Sequence, residues 1–275
     1  FRTGKLTTDN KSKGGATARG MTNIFAIAQR ELKSYFASPI AYVLIGFYAL
    51  MFGWFFAVTL SYFLQMSLQM GMSPGGGSIN VNQQMIRPIL MNVGVVGLFV
   101  LPVITMRTYA EEKRSGTIEL LLTSPVTDFQ IILGKFLGAI GLYATMLLVT
   151  FISVGMLFVY GNPEWRPIAV GYLGLLLLGG CFISVGLLIS SFTKSQVLAA
   201  FVTFAVFLLL WLLDWLAPLT GPKVEKILSY VSLTQHFDDF AKGVLDSKHL
   251  VYYLSFITFG LFLTARSVDS ERWRG

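Results

Sequence analysis

Apolar residues in this chain gather into long uninterrupted runs. Pro39 to Leu64 carries no charged side chain, and neither does Val170 to Phe192. Each run exceeds the roughly 20 residues that cross a bilayer's hydrocarbon at about 1.5 Å per residue. The short alternating segments of an outer-membrane barrel are missing, so the pattern predicts helices as the spanning elements. The fold class expected is an all-α membrane protein with six spans, at 39–64, 89–106, 129–160, 170–192, 196–217 and 251–265.

A different periodicity precedes the first span. Over 22–37, Ile24, Ile27, Ala28, Leu32, Tyr35 and Phe36 recur at three- and four-residue steps, with Gln29, Arg30 and Lys33 on the other side. That pattern predicts an N-terminal helix lying in the membrane interface, ended by Ser38-Pro39. Residues 1–20 are polar and rich in Gly, Thr and Lys, and they lack the apolar centre of a signal peptide. We expect them to lack order, with Met21 a candidate start, and residues 21–275 to form one transmembrane domain. The Gly-rich stretch around Pro74 and Gly75 to Gly77 reads as a loop. Residues 218–250 mix apolar patches with Pro218, Gly221 and Pro222 and read as short helices at the outer leaflet.

Composition sharpens this picture. Hydrophobic residues make up 54% of the chain and charged ones 13%, against about 25% charged in soluble domains, which excludes an ordinary soluble protein. Lys and Arg exceed Asp and Glu by seven, but they follow membrane topology and form no nucleic-acid stripe. With six spans both termini share a side, and that side holds fifteen of the 21 Lys and Arg. The positive-inside rule therefore predicts cytoplasmic termini. Without residues 1–20 the count is still ten against six.

The connection 107–128 is the most informative. Met106-Arg-Thr-Tyr-Ala-Glu-Glu-Lys-Arg-Ser-Gly-Thr-Ile-Glu-Leu-Leu-Leu-Thr-Ser-Pro125 starts as a charged extension of span two and breaks at Ser115-Gly116. It restarts as a short amphipathic helix over 117–122 and stops at Pro125. A helix-break-helix of this kind, on the side where the basic residues gather, is a suitable lever for a soluble partner.

These residues resemble the ABC-2 type permeases. The family's hallmark is matched at Glu111 to Pro125, followed by a span opening Ile131-Ile-Leu-Gly-Lys-Phe-Leu-Gly138, and Gln29 to Pro39 is similar to the family's interface helix. The resemblance runs from Met21 to the C-tail and is nearest to gliding-motility-associated permeases, then to copper-enzyme-maturation permeases. It implies a multi-pass subunit of a bacterial inner membrane, an exporter by family habit, paired with a second copy of itself or a related permease. A cytoplasmic ABC ATPase subunit would bind ATP and Mg, and this chain would hold no cofactor. Carried onto this sequence, Glu111, Glu112 and Arg114 would contact the ATPase, while Gly116, Thr117, Glu119 and Leu120 would shape the coupling helix. Arg30, Glu31 and Lys33 belong to the interface helix. Without the resemblance, Glu111 to Arg114 reads as a solvated helix end with local ion pairs.

The chain contains no Gly-x-x-x-x-Gly-Lys-Ser/Thr phosphate loop, so hydrolysis is expected only in a partner. A non-transporting scaffold that transmits force is the alternative. A glutamate-dependent membrane protease is a remote one: its Glu-Glu motif wants Arg at position 116, which is Gly, and His236 and His249 fall on the opposite side. His236 with Asp238 and Asp239 has poor metal-ligand spacing and reads as loop surface. Cys181 reads as a small hydrophobe, Asp214 as an interfacial acid between Trp211 and Trp215 with a functional role the alternative, and the aromatic residues from Phe47 to Phe56 as packing or lipid contact, with the lining of a path for an apolar substrate the alternative. Gly134, Gly138 and Gly141 predict a close helix approach within the bundle.

Overall fold

A computed structural model describes the backbone of residues 4–71, 80–117, 126–160 and 163–272. The described residues are almost entirely helical, with no strand among them, and six helices are long and apolar enough to cross a membrane. The molecule is an all-α, multi-pass membrane protein. The Gly-rich loop at 74–77 and most of the short helix expected over 117–122, including Glu119 and Leu120, lie outside the described residues.

Helix α1 (Gly4–Ala37) ends at Ser38, because Pro39 supplies no amide hydrogen and crowds the helical conformation of the residue before it. Pro39 then opens α2 (Pro39–Gly71), where a missing N–H costs nothing. The backbone of α1 is helical from Gly4, within the polar N-terminal stretch. Once 22–37 has nucleated a helix, extension needs only one hydrogen bond per residue.

A π-helical turn, Asn82–Ile86, leads into α3 (Arg87–Thr105). A turn over 106–109 then redirects the chain into the six-residue α4 (Ala110–Ser115), closed by Gly116 at φ 73°, a conformation that favours glycine. Two long helices follow, α5 (Asp128–Tyr160) and α6 (Trp165–Phe192). Next come α7 (Gln196–Leu216), the short α8 (Pro222–Val231) and α9 (Leu233–Ala241), and finally α10 (Ser247–Arg272). Helix α10 continues past the apolar limit at residue 265 because hydropathy marks only the lipid-facing length of a helix, not its end.

Burial sorts the spans. The most apolar window of α6 is 72% buried inside the molecule and that of α3 67%, against 11% for α2 and 17% for α7. Helix α6 is the centre, packed on α3, α5, α7, α9 and α10. Helices α2 and α7 present Val43, Phe47, Leu50, Trp54, Phe201 and Leu209 outward, as helices do when lipid or another apolar surface covers them. At the α9 end of the bundle, α8 buries none of its residues, whereas α9 is pinned. Ser232 caps α9 through Gln235 N–H (3.1 Å) and donates its hydroxyl to Asp214 of α7. Tyr252 and Tyr253 of α10 donate to the carbonyls of Val231 (2.6 Å) and Leu233 (2.7 Å) on either side. Asp214 is therefore engaged with a cap rather than simply placed between tryptophans.

Candidate functional site

The glycines of α5 decide where α1 lies. A methyl group at Gly134 would stand 2.6 Å from the Ile27 side chain, and one at Gly138 would stand 2.6 Å from Glu31 Cβ. Glycine leaves a groove into which α1 sinks, and the close approach read from these small residues turns out to be with the N-terminal helix. Glu31 is thereby carried against Lys135, the residue after Gly134.

Lys135 is the only charge between Asp128 and the end of α5, and its side chain is 1% exposed. Its ammonium donates to Glu31 Oε1 at 2.8 Å, to Glu112 Oε1 at 2.6 Å and to the Thr108 carbonyl at 3.0 Å. Three protons meet three acceptors, and the charge also lies 5.2 Å from the centre of the Tyr109 ring. One buried cation thus joins α1, α4 and α5. Two carboxylates share it, and Glu112 Oε2 receives no hydrogen bond from the described residues.

Around this node the chain is tied further. Tyr35 of α1 donates to the Ile104 carbonyl at 3.3 Å, and Arg107 donates to Ser38 Oγ at 3.2 Å, across the break between α1 and α2. A polar cavity of about 220 Å³ opens here, lined by Arg30, Glu31, Arg107, Glu111, Glu112 and Lys135 among others. Its charges balance in number, so it is a site for polar contact and not for burying a hydrophobe.

Helix α4 is also held from α6. The amides of Tyr109 and Ala110 both donate to Ser190 Oγ at 3.1 Å, and the Lys113 ammonium donates to the Ser191 carbonyl.

The residues singled out in the sequence divide accordingly. Glu111, Arg114, Gly116 and Thr117 are exposed on α4 and its end, as are Arg30 and Lys33 on α1. Glu31 and Glu112 turn inward onto Lys135. Sequence reasoning counted Lys135 only as one more basic residue, although a lone lysine seven residues into an apolar helix is itself a signal that a partner exists. Ser190 and Ser191 carry no such signal.

At the opposite end of α3, Arg87 donates to Asp238 Oδ1 from Nε (2.9 Å) and Nη2 (2.7 Å), and Lys242 pairs with Asp238 at 2.5 Å. Burial alone would raise the Asp238 carboxyl, but Lys242 and Arg87 together hold it below its ordinary value. Asp239 pairs with His249 at 2.8 Å. His236 and His249 are 6% and 4% exposed, which corrects the reading of His236 as loop surface: α9 rolls it under the Tyr252 ring, 3.9 Å between centres. Burial, followed by the charges of His249 and Lys248, pushes His236 down to about 4, against a smaller opposing effect of Asp239.

Comparison with known proteins places these features in context. Residues 78–265 match the family described as ABC-2 family transporter protein. The chain is 29% identical over 145 residues to a protein of Escherichia coli strain K12 described as probable multidrug ABC transporter permease YbhR, and equally to its counterpart in Escherichia coli O157:H7. The aligned stretch is 52% of this chain and 39% of each relative. The chain thus aligns to well under half the length of the curated relatives it matches.

Proposed function

The chain belongs to the ABC-2 family of transporter proteins, and we propose that it is the membrane-spanning permease subunit of an ATP-driven exporter whose ATPase is a separate polypeptide. The observation that carries this reading is the Lys135 node. A permease driven from outside its own chain needs a stiff element at one membrane face, joined to several spans at once. Lys135 joins α1, α4 and α5 within a single set of hydrogen bonds. Charge-assisted bonds in a buried site hold geometry better than the same bonds in water.

The excess of Lys and Arg on this side supports a cytoplasmic position for this face and for both termini, in a bacterial inner membrane on this reading. The ATPase, holding ATP and Mg, docks on the exposed charges Arg30, Lys33, Glu111 and Arg114 and on the segment after Gly116. Glu112 acts one layer deeper, relaying movement of α4 to Lys135. A second copy or a related permease covers the apolar faces of α2 and α7, and cargo passes between the two. The description of the relatives as probable multidrug permeases makes apolar, drug-sized compounds the first cargo to try.

The test is affinity purification of the tagged chain from its native membrane in mild detergent, with mass spectrometry and an ATPase assay on the same eluate. A stoichiometric ATPase carrying a phosphate loop supports the reading. An eluate of this chain alone, with no hydrolysis of ATP, overturns it in favour of a scaffold.

A further inference from the structure

A six-residue helix does not persist in water on its own, because nucleation costs more than so few hydrogen bonds return. Helix α4 also has no side-chain cap of its own at Tyr109. The cap comes from another span: Ser190, in the last turn of α6, accepts from the Tyr109 and Ala110 amides at 3.1 Å each and donates to the Met106 carbonyl at 3.2 Å. Ser190 is fully buried, so water offers these groups no substitute.

A second contact runs in parallel. Lys113, on the far turn of α4, donates to the Ser191 carbonyl, one of the carbonyls a helix leaves unpaired at its C-terminus. Ser191 Oγ donates to Ser267 Oγ of α10 at 2.8 Å. Both ends of α4 are therefore bolted to the end of α6, and through it to α10.

Helix α6 extends this connection across the bundle. Near its α4 end, Gly186 admits Thr105 of α3 so closely that a methyl group there would stand 2.2 Å from Thr105 Oγ1. Near its other end, a methyl group at Gly174 would stand 2.5 Å from Phe240 Cβ of α9. Packing this tight transmits displacement instead of absorbing it.

We propose that Ser190 is a positioning residue for energy coupling. By capping α4 from α6, it makes movement of α4 move the central span, and with it α9 at the opposite face, instead of dissipating in the turn over 106–109. This rests on the permease reading for its functional consequence, but not for the contact itself.

The test compares Ser190→Ala with Ser184→Ala. Ser184 is equally buried on the same helix, but among the described residues its hydroxyl bonds only the local Cys181 carbonyl, at 2.8 Å. In the full-length protein in nanodiscs, hydrogen exchange at Tyr109 and Ala110 is expected to speed up about tenfold or more in Ser190→Ala, since two buried donors lose their acceptor. Exchange there stays as in wild type in Ser184→Ala. In the complex with its ATPase, at unchanged subunit stoichiometry, permease-dependent ATP hydrolysis is expected to fall several-fold in Ser190→Ala alone. Unchanged exchange at these two amides overturns the capping assignment. Faster exchange with hydrolysis equal to that of Ser184→Ala overturns the coupling role. A wild-type chain that binds no ATPase at all overturns the permease reading and the coupling role together, while exchange still decides whether Ser190 caps α4.

Discussion

Charged residues cluster at both ends of α3, and the two clusters differ in the one variable that sets their worth. At the α4 end, the Lys135 side chain is 1% exposed and its two carboxylate partners 19% each. At the α9 end, Arg87, Lys242 and Asp239 are 37%, 35% and 39% exposed around an Asp238 that is 21% exposed, so the cations differ most. Exposed pairs gain little, because water solvates the separated charges almost as well and salt screens them. A buried pair is a poor source of net stability but a strong constraint, because losing one partner strands the other charge away from water. The first cluster fixes the mutual positions of three helices, and the second decorates a joint already held by Tyr252, Tyr253 and Ser232.

The largest expected effect breaks the buried cluster. Lys135→Met leaves Glu31 and Glu112 facing each other without a cation and is expected to cost about 3–5 kcal/mol in unfolding measurements in detergent. Adding Glu31→Gln and Glu112→Gln is expected to recover most of that loss. A Lys135→Met protein within about 1 kcal/mol of wild type would put the two clusters on the same footing.

Acid tests the other end. Because His236 titrates at about 4 in the folded protein and near 6.5 when unfolded, the unfolded chain binds the proton first. Stability from its burial is complete above about 6.5 and is lost as pH falls toward 4, by about 1–2 kcal/mol once water's screening of the ring is allowed for. The groups around the ring are His249, Lys248 and Asp239, with Tyr230, Tyr252 and Tyr253 packed against it. His236→Phe is expected to remove this part of the acid slope in a pH series of melting curves. An unchanged slope would assign the effect to other groups.

A smaller effect sharpens the account of the groove. Gly138→Ala places a methyl group against Glu31 Cβ, so α1 must lift and lengthen the bond to Lys135, at about 1–3 kcal/mol. Gly53→Ala, where nothing lies within 4 Å, provides the comparison in the same melting assay and is expected to be neutral or slightly stabilising. Least of all, Lys242→Ala, a half-buried partner of Asp238 and Asp239 at the surface of the joint, is expected to change stability by no more than about 1 kcal/mol, and less at high salt.

Much of this was legible in the residues themselves. Six charge-free or nearly charge-free runs, the Ser38-Pro39 break, the helix stop at Gly116 and the small-residue spacing of Gly134, Gly138 and Gly141 are local properties. Hydropathy, proline and glycine act within a few residues of where they stand, so a single chain read in order reveals them. The dense charge of Glu111 to Arg114 between two apolar helices was legible for the same reason, and it includes the Glu112 that reaches Lys135.

The destinations of those charges were decided only in three dimensions. Glu112 and Arg114 sit two positions apart, yet one points onto Lys135 and the other to solvent. Glu31 lies 104 positions from Lys135, and Ala110 lies 80 from Ser190, and no periodicity encodes a match across such separations. Tertiary packing chose them: the depth of the α5 groove set the height of Glu31, and the turn after Thr105 swung α4 under the last turn of α6. A buried donor or acceptor must find a partner wherever packing leaves it. The sequence by itself determined which segments cross the membrane and where the chain must turn, and only the packed bundle determined which polar groups were left to satisfy one another.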